Sequence, residues 1–517
     1  MELTTKIIHT AAIRGTALTQ LTLDDDFIVP DVRPDIERII ADQGNLSITD
    51  VRRSPGKADV SGHLEFQVLY QAPGGQTTLP LCDKLTFTER VNLEGLEDRD
   101  HLQAKGEIED LSIDVINSRK ISVKAIVTLT LSAESLADVV LPLEVSGSAS
   151  ETIRRPLEVS RLALRHKDTC RIKDEFDLPA SLPVIGNLLW TRSALRSTEL
   201  IAGDGKLTLN GELEIFCLYK GEADHIPIQW VEKTIPIRQT MEIPAITQEM
   251  IPFGEIRAGN VSIKAEADYD GELRVITTEA ILDLDLRLYE SERFSIVSDL
   301  YSPQLELCPR YHMAELENIL TRNSANIKVN GKLTVAGDDR ILQIIHADGK
   351  VSLDDQHPIA DGISLEGTVT VHVLFLTAND SMPIQSVTGI LPFTYTIDAV
   401  GIDDNCLYQL NPSLESLSAM MLGGSDLEIK AGVRADTLIR RSFTCPLITE
   451  VEERPFDEKK IHLLPGIVGY VVQDEDTLWK LAKQFHATVD SIRSLNQLTC
   501  DDLRKGQRLL IMKQSRL

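Results

Sequence analysis

Aromatic side chains are scarce in this chain of 517 residues: Phe, Trp and Tyr make up 5% of it, and only three residues are Trp. Its cores must therefore be built mainly from Val, Ile and Leu. Cysteine is also sparse. The seven residues Cys82, Cys170, Cys217, Cys308, Cys406, Cys445 and Cys500 stand far apart and form no CxxC pair. Such spacing speaks against a disulfide framework and a zinc site, and suits a reducing compartment. Positive charge is short as well. The formal net charge is −26, whereas a protein that reads nucleic acid needs a basic footprint for the phosphates. No apolar run is long enough to span a bilayer. The opening residues Met1 to Lys6 lack the basic-then-apolar order of a secretory signal. The expectation is a protein without a transmembrane segment that is cytosolic, or secreted by a route the sequence does not show.

Catalytic signatures are missing too. There is no Walker loop, no GxSxG and no HExxH. The densest polar cluster is His346, Asp348, Asp354, Asp355 and His357. It directly follows an apolar cluster and ends in a turn-like Asp-Asp-Gln-His-Pro, so it reads as a loop rather than a metal site. Asp24-Asp25-Asp26 lacks the ligand spacing of a calcium loop. Neither a metal nor a cofactor is expected, and no enzyme activity.

What the chain does have is repetition. Gly62-His-Leu-Glu-Phe-Gln-Val-Leu-Tyr70, Gly211-Glu-Leu-Glu-Ile-Phe-Cys-Leu-Tyr219 and Gly367-Thr-Val-Thr-Val-His-Val-Leu-Phe375 share apolar residues at positions three, five, seven and nine. Period two marks a half-buried strand. The leading Gly suits a turn or bulge at the strand entry. Upstream of each stands an apolar cluster: Ile36, Ile39 and Ile40; Ile185, Leu188 and Leu189; Ile341, Ile344 and Ile345. Their three-and-four spacing predicts a short helical turn. Downstream lie further alternating strands, beginning at Leu85, Ile235 and Leu391 and again near Ile121, Ile276 and Leu427. The glycines recur after 149 and 156 residues (211−62 and 367−211), the length of a domain rather than of a solenoid repeat. The fold predicted is mainly β: a tandem array of three related sandwich-like domains over 1–145, 146–298 and 299–447. A charged, Pro-containing linker over 448–466 would let the C-terminal tail swing.

From Tyr470 the pattern becomes strand, helix, helix, strand. Thr477 and Thr488 can cap the helices, Leu478, Leu481, Ala482 and Phe485 form one helix face, and Asn496 can end the second helix in the left-handed conformation. From Val468 onward eight Lys or Arg outweigh six Asp or Glu, leaving −28 on the rest of the chain.

Tyr470-Val-Val472, Asp476-Thr477-Leu478, Asn496 and Leu503-Arg-Lys-Gly506-Gln507-Arg-Leu509-Leu-Ile511 resemble the LysM domain, which implies a βααβ module over 467–513. The resemblance implies a partner- or glycan-binding site at Asp474, Glu475, Asp476, Thr477, Trp479, Lys480 and Asn496. Glu475 departs from the family's usual Gly in the loop where LysM domains contact N-acetylglucosamine polymers. Trp479 reads two ways: an exposed anchor flanked by Lys480 and Lys483 for a partner, or the closing edge of a small core.

The body resembles the SPOCS domain of endospore-forming bacteria, through Val29-Pro-Asp-Val-Arg-Pro-Asp-Ile-Glu-Arg-Ile-Ile40, partly kept as Leu178-Pro179 and Pro183-Val-Ile185. Several such domains followed by one LysM is the arrangement of SipL-like spore morphogenetic proteins. That resemblance implies a non-catalytic scaffold of spore-coat assembly in the mother-cell cytosol, on the outer forespore membrane. Its implied partner is the sporulation ATPase of the coat basement layer. The LysM pattern alone implies the alternative, a cell-envelope protein that binds peptidoglycan.

Overall fold

The computed structural model describes residues 2–75, 77–147, 150–222, 228–336, 340–457 and 465–514. The first copy contains β1 (Glu2–Ile28), β2 (Arg38–Ser54), β3 (Lys57–Gln71), β4 (Thr78–Asn92), β5 (His101–Asn117) and β6 (Lys120–Ser146). The second contains β7 (Glu151–Asp177), β8 (Ile185–Gly203), β9 (Lys206–Gly221), β10 (Gln229–Glu242), β11 (Ile251–Ala267) and β12 (Leu273–Tyr301). The third contains β13 (Glu306–Thr334), β14 (Ile341–Ile359), β15 (Gly362–Thr377), β16 (Ile384–Asp398), β17 (Cys406–Gly423) and β18 (Asp426–Arg454).

Each copy is two three-stranded antiparallel sheets. In copy one these are β2-β3-β4, a meander, and β1-β6-β5, in which the last strand returns between the first and the fifth. Copies two and three repeat both orders. Leu64, Phe66, Val68 and Tyr70 of β3 point into the sandwich against Ile121, Val123, Val127 and Leu129 of β6. Residues between them face out, which is why the sequence alternates. Each fully buried Leu or Val contributes roughly 1.5–3 kcal/mol. The Tyr70 hydroxyl donates to the Pro34 carbonyl (3.3 Å), and Tyr219 does the same to Pro183 (3.1 Å). Thus the Pro-containing strips before β2 and β8 are tied to the end of the central strand. Phe375 has no hydroxyl, and copy three has lost the Pro strip as well.

Two expectations change. The apolar clusters before the glycines are not helical turns; they open strands β2, β8 and β14. A β-bulge leaves Ile40, Leu189 and Ile345 without a cross-strand partner. One extra residue in a strand turns period two into a three-and-four pattern, which imitates a helix. Nor do the repeated glycines mark turns at the strand entry, although each does lie against a bulge, after Ile48, Arg196 and Leu353 of the neighbouring strand. Gly62, Gly211 and Gly367 lie inside strands, opposite Phe87, Ile237 and Phe393.

The bulges aim side chains out of each sandwich and toward the other copies. Ile40, Leu189 and Ile345 meet in one buried cluster with Leu69, Leu218 and Leu374. Both sets occupy equivalent positions in the three copies. A second cluster joins Ile8, Leu157 and Ala314 with Leu141, Ile296 and Leu447, again equivalent residues, where the long outer strands extend past the sandwiches. A third lies further along the same strands, with Val145, Leu300 and Val451. Equivalent residues converging on one another is the contact pattern of pseudo-threefold symmetry, so the array closes on itself instead of running as beads on a string.

Strand β18 continues to Arg454, so residues 448–454 of the expected linker are strand; 458–464 lie outside the described residues. The C-terminal module comprises β19 (Ile467–Val471), α1 (Leu478–Gln484), α2 (Val489–Leu495) and β20 (Arg508–Met512). It does not swing free: Tyr301 of β12 is buried in the same cluster as Leu478, Leu481, Ile492 and Leu509.

Candidate docking site on the C-terminal module

The module is small, and its loops are held by side chains that cap helices. Thr477 accepts from the Lys480 amide (3.2 Å), and Thr488 and Ser491 form a reciprocal capping box. Both supply partners for amides that the first helical turn leaves orphaned.

The predicted site residues are mostly engaged within the module. Asp476 accepts from the Tyr470 hydroxyl (3.0 Å) and the Gln473 amide (2.7 Å). Asp474 is ion-paired with Lys505 across the two loops. The Lys480 ammonium donates to the Glu475 carbonyl (2.9 Å). Glu475 itself sits at φ +65°, in the left-handed region that a Gly would enter without steric cost. Its carboxylate pairs with nothing among the described residues.

Asn496 differs from expectation. It caps α2 at φ −102°, and Gln497 takes the left-handed conformation (φ +55°) instead. The Asn496 side chain donates to the carbonyls of Ile492 and Leu510 and accepts from the Leu510 amide. It joins helix to strand, and its amide is fully engaged.

Trp479 faces the second copy rather than open solvent. Its ring meets Tyr301 edge-on at 4.9 Å. Its indole N–H donates to Asp299 (2.9 Å), and Lys483 reaches the other oxygen of that carboxylate (2.6 Å). The Tyr301 hydroxyl donates to the Ala487 carbonyl (2.9 Å). Burial raises the Asp299 carboxyl's proton affinity, but Lys483 and the indole N–H outweigh it and hold the group below the ordinary carboxylate range. Beside this contact, Glu151, paired with Tyr301 across the β-ladder, titrates higher than usual. Burial is the larger cause, and Asp490 of α2 adds like-charge repulsion.

The outer face of the antiparallel β19–β20 pair is apolar and open. Ile467, Val471, Leu510 and Met512 are 58%, 48%, 43% and 45% exposed, against 2% for Leu509 on the inner face. Sequence reading passed over these four residues. Their signal was apolar side chains on both faces of a two-stranded ribbon, where one covered face requires alternation. Asp299 and Tyr301 carried no local signal, being remote in sequence from the residues they meet.

The SipL SPOCS-domain model matches residues 35–116, 185–266 and 340–422, and the LysM-domain model matches 470–511. The chain is three SPOCS domains of the SipL family and one LysM domain. Each SPOCS match covers the second to fifth strands of a copy, so the first and last strands, which carry the second and third shared clusters, lie outside it. No curated protein and no solved structure gave a match. SPOCS and LysM are non-catalytic binding domains, LysM being associated with peptidoglycan, and their combination fits an envelope or coat protein. Among the described residues, no helix is long and apolar enough to cross a membrane, and no cluster could hold a metal ion. His346 pairs with Glu232, Asp348 with Arg192 and His357 with Asp355, so the polar cluster seen in sequence is dispersed over separate contacts.

Proposed function

We propose that this SPOCS–LysM protein is a non-catalytic adaptor of spore-coat and envelope assembly. It acts in the mother-cell cytosol at the outer forespore membrane, and its LysM domain docks to the ATPase of the coat basement layer. The observation that carries this reading is the division of chemistry on the LysM domain. Asp474, Asp476, Thr477, Lys480 and Asn496, the polar groups a glycan would need, are engaged internally. The open surface is the apolar outer face of the β19–β20 pair, with Ile467, Val471, Leu510 and Met512. Glycans are recognised by hydrogen bonds to placed polar groups, whereas an apolar patch marks a protein contact. The test is co-purification with that ATPase from sporulating cells. Leu510→Glu should reduce capture at least tenfold, and undiminished capture would rule this apolar face out. Fluorescent localisation should show a shell around the forespore.

The alternative, a peptidoglycan-binding envelope protein, is favoured by the LysM match itself. Sedimentation of the full chain with murein, reversed by chitooligosaccharide, would support it over the adaptor reading.

A further inference from the structure

The three copies offer three equivalent platforms at the end of the long strands, and only one holds the LysM domain. Leu141, Ile296 and Leu447 share one cluster and Val145, Leu300 and Val451 another, each set separated by 155 and 151 residues (296−141 and 447−296). The same offsets place Glu144 and Glu450 where copy two has Asp299, and Ser146 and Glu452 where it has Tyr301. An aromatic ring at this place belongs to copy two alone.

The contact is matched in geometry as well as in residue type. Asp299 and Tyr301 stand two apart at the end of β12, so both project from one side of the strand. Trp479 and Lys483 stand four apart on α1, so both project from one side of the helix. The carboxylate lies between the indole N–H and the ammonium (2.9 and 2.6 Å), and the phenol ring lies against the indole (4.9 Å). Tyr311 of copy three adds its hydroxyl to Asp299 at 3.5 Å, and a bulge after Val297 sets the direction of Asp299.

We infer that the Trp479–Lys483 face of the LysM domain is a recognition surface for an extended acidic-aromatic segment, Asp-x-Tyr in type, and that Asp299-Leu300-Tyr301 occupies it as an internal ligand. A partner protein that presents the same chemistry on an extended strand competes with copy two for the module. This rests on the reading of LysM as a protein-docking domain and adds a second contact surface, separate from the apolar strand face, with its own ligand chemistry and its own condition for access. A tethered ligand acts at an effective concentration of about millimolar. A partner at micromolar level must therefore bind roughly a thousandfold more tightly than the internal segment to displace it.

The test uses the full chain and a labelled synthetic peptide of residues 295–303. Asp299→Ala with Tyr301→Ser, the latter the residue of copy one, should free the module. The peptide should then bind this variant at least tenfold more tightly than the unaltered chain, and Trp479→Ala added to it should abolish binding. A second variant, Asp299→Asn with Lys483→Ala, keeps Tyr301 and should raise the radius of gyration in small-angle scattering without altering circular dichroism. Equal affinity for unaltered and freed chains, binding to neither, or binding insensitive to Trp479→Ala would each overturn the inference. The peptide assay involves no ATPase. Peptide binding without ATPase capture would therefore refute the adaptor reading and leave the recognition surface standing.

Discussion

At the scale of single residues, Glu475 and Asp299 define the LysM domain of this protein. Glu475 holds a left-handed backbone conformation that costs a side-chain-bearing residue about 1–2 kcal/mol, part of which a Gly returns as unfolded-chain entropy. Glu475→Gly should therefore stabilise the domain by roughly 0.5–1 kcal/mol, read as a higher melting temperature in calorimetry. Asp299 and Glu151 make docking depend on pH in opposite senses. The folded pKa of Asp299 is depressed, so its contribution is present above the unfolded value near ~3.9 and is lost as pH falls through the lower folded value. The folded pKa of Glu151 is raised by burial and by Asp490. It opposes docking when ionised, and that opposition is relieved as pH falls through the raised value toward the unfolded one near ~4.3. Glu151→Gln should thus slow hydrogen exchange in α1 at neutral pH and flatten its change on mild acidification; unaltered exchange would dismiss the repulsion. Little of this was legible in the sequence. The capping threonines and the odd Glu475 could be read locally, but Trp479 could not be assigned a partner, because Asp299 lies 180 positions away in the chain.

At the scale of elements, the strands were legible and their irregularities were not. Alternation at Leu64, Phe66, Val68 and Tyr70 survives intact because β3 pairs in unbroken register with β4. The bulge at Ile40 in β2 disguised a strand start as a helical turn, since a single inserted residue shifts the inward set by one. The glycine opposite each bulged strand has a packing reason. A Cβ on Gly62 would lie 2.4 Å from the Ser47 carbonyl oxygen and 2.7 Å from the Phe87 ring; on Gly367 it would meet Ser352 and Phe393 at 2.5 and 2.8 Å. In copy two, Ile237 replaces the ring, and the nearest atom to a Cβ on Gly211 is 3.4 Å away. Gly62→Ala and Gly367→Ala should each cost about 1–3 kcal/mol in urea unfolding. Gly211→Ala should be close to neutral, a contrast that propensity alone would not produce.

At the scale of the molecule, the pseudo-threefold contacts were invisible in the sequence because inward and inter-copy side chains are drawn from the same Ile, Leu and Val. One polar triad between the copies breaks the symmetry. Equivalent positions carry Gln43, Arg192 and Asp348, and Arg192 bonds both of the others. A different residue type from each copy lets only one cyclic arrangement satisfy all three, in the way a buried polar residue fixes register elsewhere. Arg192→Ala should leave Asp348 and Gln43 without their partner and cost about 1–3 kcal/mol, measured as a lower urea midpoint with an unchanged slope. An unaltered midpoint would mean the triad sets no order.

The shared clusters also determine how this protein can be dissected. Genetic mapping by truncation assumes that a deleted repeat removes only its own activity. Here, removing any one copy uncovers Ile40, Leu69 and their counterparts on the two that remain. Deletion phenotypes would then report insolubility and proteolysis rather than lost binding, whichever copy is cut. Point substitutions at Asp299, Tyr301 or Leu510, which leave the ring closed, are the alleles from which function can be read.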